Sequence, residues 1–427
     1  MADIKEISKA VRLVSVPTDR FKTSKISICF ALPLKEETVA SNALLPYLLH
    51  HSCAKYPSME LINNHLAMLY GASIGASVLK AGESQIMRLS ISAIDDRFSL
   101  DNESISAKCA QLLCDLIFEP NFENGTFSNA DIEQEKRLMI ERIDSEMDDK
   151  RAYALRKCEE LMCADEPYGL SKYGTKEQVK KLTADDVFKA WQRMLKTAKI
   201  QINVIGNADL KKIEESFADN LKKIGREEPA VLSTKFIGKA DKIKEKTEQM
   251  EIKQGKLVMG LRVDIKDAME KYAELSVMND VFGGGPYSRL FANVREKMSL
   301  CYYCSSRLVR QKGVIFIQSG IETENKEKAV KAILEQFEIM KKGEFSKEDF
   351  EASKKAIVDA LNSYGDMPED IDVWYTGQII YDEIFSTKKA VEMINKVTVD
   401  EVTKAAQLVT LDTIFMLEGT GDSEEGE

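Results

Sequence analysis

Apolar and polar positions alternate along Lys25–Lys35, KISICFALPLK, where Ile26, Ile28, Phe30 and Leu32 recur at every second place. That period predicts a strand with one face in a core. A helix containing a proline follows at Glu37–His51, then a helix over Ser58–Leu69 and a strand from Tyr70. A turn at Ala81-Gly82-Glu83 leads into the strand Gln85–Ile94, and Ser104–Phe118 reads as a helix. Phe127–Ile143 starts another, with Ser128 and Asp131 as its cap, and the periodicity carries it on through DDKRAYALRKCEELM. Thr183 and Asp186 cap one more helix, and Ile200–Asn207 closes the series as a strand.

The second half repeats this order. Gln249–Val263 gives opening strands, Lys271–Phe282 a helix, and Val314–Glu322 and Thr413–Gly419 later strands. Phe345-Ser346-x-x-Asp349 matches Phe127-Ser128-x-x-Asp131, and Thr398-x-x-Glu401 matches Thr183-x-x-Asp186. The matched pieces lie roughly 215–230 residues apart in unbroken order, which predicts a duplicated unit of roughly 200 residues. Strands beside runs of helices in each copy predict an α+β fold: two tandem homologous units, each an antiparallel-rich sheet with helices packed on one face. The expected division is 1–226 and 247–420, joined by the polar, lysine-rich linker 227–246 and followed by an acidic tail at 421–427. One pair of matched segments differs in chemistry. Tyr287–Tyr303 is a helix running into a strand, with Leu290, Val294 and Met298 as its apolar stripe, Arg295 near the helix end and Tyr302 at the strand head. Its counterpart, Ser58–Ser73, has no such Arg/Tyr pair.

Composition narrows the classes. With 44% apolar and 30% charged residues and a formal net charge of −10, the chain has neither the basic excess of a nucleic-acid binder nor an apolar run of the roughly 18 residues that a bilayer span needs. The N-terminal stretch lacks a secretory pattern, so a cytoplasmic protein is expected, with no nucleic-acid or membrane partner. Eight cysteines in 427 residues do not make a disulfide framework. Cys301 and Cys304 form a C-x-x-C, but in a strand residues three apart face opposite ways, which argues against a working thiol pair. His50 and His51 are neighbours on one predicted helix and His65 lies on the next; they lack zinc-ligand spacing and are expected to be ordinary surface or half-buried residues. Gly283-Gly284-Gly285-Pro286 is no phosphate loop, because no Gly-Lys-Ser/Thr follows it.

The tandem plan, the Arg/Tyr pair after a glycine-rich turn, and the segment Tyr56-Pro57…Tyr70-Gly71-Ala72 resemble the M16 metallopeptidases, the family of pitrilysin and the mitochondrial processing peptidase. LLPYLL, KLVMGLR, FGGGPYSRLF and VREKMSLCYY look closest to its bacterial subgroup associated with elongation factor P 5-aminopentanol modification. The resemblance implies an H-x-x-E-H zinc signature on the first helix. Counted back from Tyr56-Pro57 it falls on Ala43-Leu44-Leu45-Pro46-Tyr47, placing Ala43 and Tyr47 at ligand positions and Pro46 at the base. The distal ligand falls at Arg142, with Glu141 one residue away and a slip between them open. None of Ala43, Pro46, Tyr47 or Arg142 suits zinc, so no cofactor is expected in this chain. The resemblance further implies that Arg295 and Tyr302 steady the substrate's tetrahedral intermediate, and that Gly283, Gly284 and Gly285 contact substrate. The expected function is thus a non-catalytic subunit, not a peptidase on its own. It would enclose a peptide or unfolded protein together with a zinc-bearing homologue and lend Arg295 and Tyr302 in trans. The alternative is a homodimeric scaffold that binds peptides or proteins without hydrolysis.

Overall fold

The alternation along Thr23–Pro33 decides how the first sheet is covered. Ile26, Ile28, Phe30 and Leu32 enter one apolar core, while Cys29 and Ala31 belong to a second cluster on the opposite face. The computed structural model describes residues 2–420, so the acidic tail at 421–427 lies outside the described residues. Two units of the expected α+β class are present, each with its own sheet.

The first sheet has six strands, in the spatial order Asp3–Ser8, Val11–Val16, Lys199–Ile205, Thr23–Pro33, Ser84–Ile94, Ser73–Ala81. The second has five: Tyr303–Val309, Val314–Ile321, Gly255–Val263, Val409–Gly419, Lys244–Met250. Read from Val11–Val16 in one and Lys244–Met250 in the other, the five-strand order is the same. In each, the opening strand runs parallel to the closing one and every other pair is antiparallel. The duplication therefore extends to strand order and direction, and Asp3–Ser8 is an added edge in the first copy.

Local chemistry fixes the helix starts. Thr183 with Asp186, and Thr398 with Glu401, form complete capping boxes, and Ser346 accepts from the backbone N–H of Asp349 at 2.9 Å. Helices Val39–Leu49, Ile105–Phe118, Ala184–Thr197 and Leu210–Ile224 close the first core around Phe30 and Phe217, both fully buried. Burying a side chain of that kind contributes roughly 1.5–3 kcal/mol.

The opposite face of each sheet is covered by chain from the other half of the sequence. Residues 364–386 belong to the first unit, and residues 144–169 belong to the second. Helix Lys150–Met162 carries Ala154, Cys158 and Met162 at helical spacing, and these pack with Val258, Phe316, Phe415 and Leu417. Helix Pro368–Thr376 instead presents Asp372, which accepts hydrogen bonds from Ser27 Oγ at 2.5 Å and Asn203 Nδ2 at 2.7 Å and pairs with Arg88. A cut at 227–246 does not anticipate either exchange, and the strand Lys244–Met250 begins inside that span.

Two helical expectations change. The long helix from Phe127 is interrupted at Asp149, whose carboxylate accepts from the N–H groups of Arg151 and Ala152 and starts a new helix at Lys150. Leu290–Lys297 is wound more widely than an α-helix, with the Met298 N–H bonded to the Asn293 carbonyl. Its stripe stops at Leu290 and Val294; Met298 is exposed. No helix among the described residues is long and apolar enough to cross a membrane.

Candidate functional site

Every residue of helix Val39–Leu49 is buried, so Ala43 and Tyr47, one turn apart, sit inside the first unit. Beside them runs helix Asn129–Asp148, where Ile132, Glu135 and Met139 are buried at helical spacing and Arg142 is half-buried. The Arg142 guanidinium carbon lies 3.9 Å from the centre of the Tyr47 ring, and its Nη1 lies 3.9 Å from Glu135 Oε2. Glu141 is exposed. The side chain opposed to the first helix is therefore that of Arg142, not Glu141. A cation thus stacks on the face of Tyr47, one of the two positions expected for a metal ligand.

The donor set does not fit zinc. Ala43 and Pro46 offer no donor, Tyr47 lies under a guanidinium, and Arg142 carries the same sign of charge as the ion. The histidines do not complete a site. His51 Nδ1 is 3.3 Å from Glu135 Oε1, and His50 Nδ1–H donates to the Tyr47 carbonyl at 2.6 Å. His65 stacks instead on Tyr56, ring centres 4.6 Å apart. Among the described residues no group of three His, Cys, Asp or Glu could hold a metal. Burial lowers His50 to about 4, with His51 and Arg142 adding to the fall.

Glu135 is the member of this cluster that the sequence did not reveal. It is fully buried, and neither carboxylate oxygen accepts a hydrogen bond from a described residue. Burial pushes its carboxyl up to about 7, Arg142 pulling the other way and Asp131 adding to the rise. The folded pKa lies above the unfolded one, so this group contributes no penalty at low pH, when both states are protonated. Stability is lost as pH rises from about 4.5 through about 7. Ionising a carboxyl raised that far costs at most about 3 kcal/mol. Glu135→Gln should therefore gain on the wild type as pH rises and match it near pH 4, read by urea unfolding across that range. Parallel stability profiles for the two proteins would show that Glu135 is already ionised at neutral pH.

In the second unit the glycine run ends helix Tyr272–Gly283. None of Gly283, Gly284 or Gly285 has a positive φ; Gly283 is set by space, since a Cβ there would come within 2.5 Å of Ser306 Oγ and 2.7 Å of its backbone N. Tyr287, after the run, donates to Asp280 Oδ1 at 2.8 Å. Arg295 lies half-exposed near the end of the widened turn, its guanidinium carbon 4.4 Å from the Phe291 ring centre and its Nε 3.5 Å from Glu296 Oε1. Tyr302 N–H bonds the Gly320 carbonyl at 2.9 Å, and its side chain is 64% exposed. Tyr302 thus fills no core. Its neighbour Tyr303 is covered by Arg151, 4.4 Å from the ring centre.

Comparison with known proteins agrees with the sequence resemblance. Residues 181–357 match the peptidase M16 inactive domain. A Bacillus subtilis protein named a probable inactive metalloprotease, YmfF, is 31% identical over 95% of each chain. A crystal structure of a conserved protein from Enterococcus faecalis is similar at a TM-score of 0.89 and 27% identity, covering 99% of this chain and 100% of that one. The peptidase M16 inactive domain from Pseudomonas fluorescens shares the fold, with a TM-score of 0.79 at 16% identity over 99% of both chains.

Proposed function

This chain belongs to the M16 peptidase family as an inactive homologue, and from that premise we propose that it is the non-catalytic subunit of a two-chain zinc peptidase. The partner is a homologue carrying H-x-x-E-H, and the substrate is a peptide or unfolded protein. One observation carries the reading: Tyr302 stands 64% exposed at the head of an edge strand, in the same unit as a half-exposed Arg295. A phenol and a guanidinium are donors suited to a developing oxyanion. The chain's own first helix, with Ala43 at one ligand position and Tyr47 under the Arg142 guanidinium at the other, offers no zinc-ligand set for them to serve. They therefore act on chemistry supplied by another chain.

The test is co-expression with an H-x-x-E-H homologue encoded in the same genome. The two chains should elute together, hydrolyse peptides, and carry zinc only in the partner. Purified alone, this chain should contain no stoichiometric zinc. About one zinc per chain, lost on replacing His50, His51 or His65 by alanine, would falsify the non-catalytic assignment. Self-association with peptide binding and no hydrolysis beside any homologue would favour the scaffold. The resemblance of LLPYLL, KLVMGLR, FGGGPYSRLF and VREKMSLCYY to the elongation factor P subgroup supports a role in that factor's modification. Mass spectrometry of that factor from a strain lacking this chain would test it, an unchanged modification state counting against it.

A further inference from the structure

The strand Asp3–Ser8 stands at the outer edge of the first sheet, paired on one side only, with Val11–Val16, among the described residues. Five of its six residues are exposed. Its outward N–H and C=O groups are therefore open to a further strand. The two faces of this strand differ. Lys5 pairs with Glu214 of helix Leu210–Ile224, and Ile7 packs against the first core. Ile4 and Glu6 line the opposite face, Glu6 standing across from Arg12 in the ladder.

On that face lies a cavity of about 910 Å³, within the range that ligand-binding cavities occupy. Its walls come from the edge strand, residues 229–232 and residues 380–384, all within the first unit. Leu232, Ile380 and Ile384 give it an apolar lining, joined by Ile4 at 43% and Val231 at 82% exposure. The wall at 380–384 is tied to the sheet. Arg12 Nη1 donates to the Asp382 carbonyl and Arg12 Nη2 to that of Tyr381, both at 3.1 Å. Lys199 Nζ donates to the Tyr381 carbonyl at 3.2 Å and to Asp382 Oδ1 at 3.0 Å. Both cations of the cavity are thus spent on its own wall. Its remaining charged side chains, Glu6 and Glu383, are exposed carboxylates in no ion pair among the described residues.

An aliphatic cavity flanked by two unpaired carboxylates selects a ligand that is both apolar and cationic. The open strand edge beside it selects an extended backbone. We propose that Asp3–Ser8 and this cavity are a docking site for an extended segment of another protein, with aliphatic and basic side chains on one face. The segment adds a seventh strand to the six of the first sheet. An aliphatic side chain enters the cavity beside Ile4 and Val231, and a Lys or Arg two residues along meets Glu6 or Glu383. Main-chain hydrogen bonds supply affinity, while the cavity and the carboxylates supply selectivity. Because Arg12 and Lys199 already fix the wall, little ordering is needed on binding. Like charge disfavours an acidic strand at the same edge. The site needs no zinc-bearing chain and stands apart from the trans-acting role.

The probe is a labelled synthetic heptapeptide, Thr-Leu-Thr-Lys-Thr-Leu-Thr, titrated into the full-length chain at low ionic strength and followed by fluorescence anisotropy. Saturable binding, with slower hydrogen exchange along Asp3–Ser8, is the expected result. Replacing both leucines by serine should abolish it. Glutamate in place of the lysine should weaken binding roughly tenfold, and added salt should narrow that difference. The double variant Glu6→Lys/Glu383→Lys, altered only at exposed positions, should invert the preference and take the glutamate peptide about tenfold more tightly than the lysine one. No saturable binding, or protection that falls elsewhere than on Asp3–Ser8, overturns the proposal. An unchanged lysine preference in the double variant overturns it equally. If Asp3–Ser8 becomes protected only as the chain itself is concentrated, the edge pairs with a second copy and the proposal falls.

Discussion

Glu166→Ala should destabilise the second unit by roughly 3–5 kcal/mol, the range found when one partner of a buried ion pair is removed. The carboxylate belongs to the segment that crosses from the first half of the sequence. It accepts from Arg262 Nη2 at 2.6 Å and Lys312 Nζ at 2.6 Å. Lys312 is fully buried and Arg262 is 3% exposed. Asp412 pairs with Arg262 Nε at 2.8 Å, and Lys312 also donates to the Lys235 carbonyl at 2.6 Å. Without Glu166, Arg262 keeps Asp412 while the fully buried Lys312 loses the carboxylate 2.6 Å away. A domain has only about 5–15 kcal/mol of stability in total, so the change should be plain in thermal or urea unfolding and in faster hydrogen exchange along Gly255–Val263. Burial works to raise the Glu166 carboxyl, but its bonds to Arg262 and Lys312 outweigh that and hold it below the usual range. The stabilisation is therefore present above the unfolded carboxyl's pKa and lost as pH falls through the folded one, and acid should approach the effect of the mutation. A loss under about 1 kcal/mol would mean that the cluster is hydrated and no longer behaves as a buried one.

The two exchanged segments are anchored by the same chemistry from unrelated positions. Asp372 meets Arg88 on Ser84–Ile94, and Glu166 meets Arg262 on Gly255–Val263, strands that are not counterparts in the two copies. This explains why the sequence disclosed the duplication but not the exchange. Capping boxes and strand alternation are local, so Thr183/Asp186, Thr398/Glu401 and the face of Thr23–Pro33 could be read directly. Helical period reveals that Ala154, Cys158 and Met162 share a face, but not which sheet receives it. Asp3–Ser8 escaped notice because it is exposed along nearly its whole length and therefore has no buried face to pattern. Asp149 reads as one more acid in an acidic stretch, although it caps a new helix. At the candidate site, Ala43, Tyr47 and Arg142 could be placed by counting from the resemblance, whereas Glu135, lying in an E-Q-E-K run, carried no signal of burial. The strand expected to hold Cys301 starts only at Tyr303, so the period-two rule does not reach that residue.

Arg295→Ala and Tyr302→Phe should each slow a reconstituted two-chain peptidase by about a hundredfold to a thousandfold, which corresponds to the roughly 2.7–4 kcal/mol contributed by one oxyanion donor. The structure favours an effect on chemistry over one on folding. Tyr302 is 64% exposed, and Phe keeps its ring while removing only the hydroxyl. The fold's demands on this segment fall elsewhere: Leu290 and Val294 fill the core, and Tyr303 is covered by Arg151. Arg295 contacts Phe291 and Glu296, both on its own turn, and an exposed pair of that kind contributes at most about 1 kcal/mol. Thermal stability and co-elution with the zinc-bearing chain should therefore be retained in both variants while kcat falls. Interactions made only in the transition state lower kcat and kcat/KM together, whereas lost ground-state binding would raise KM alone. Rates within twofold of the unmutated complex would return Arg295 and Tyr302 to the surface, and with them the case for assistance in trans.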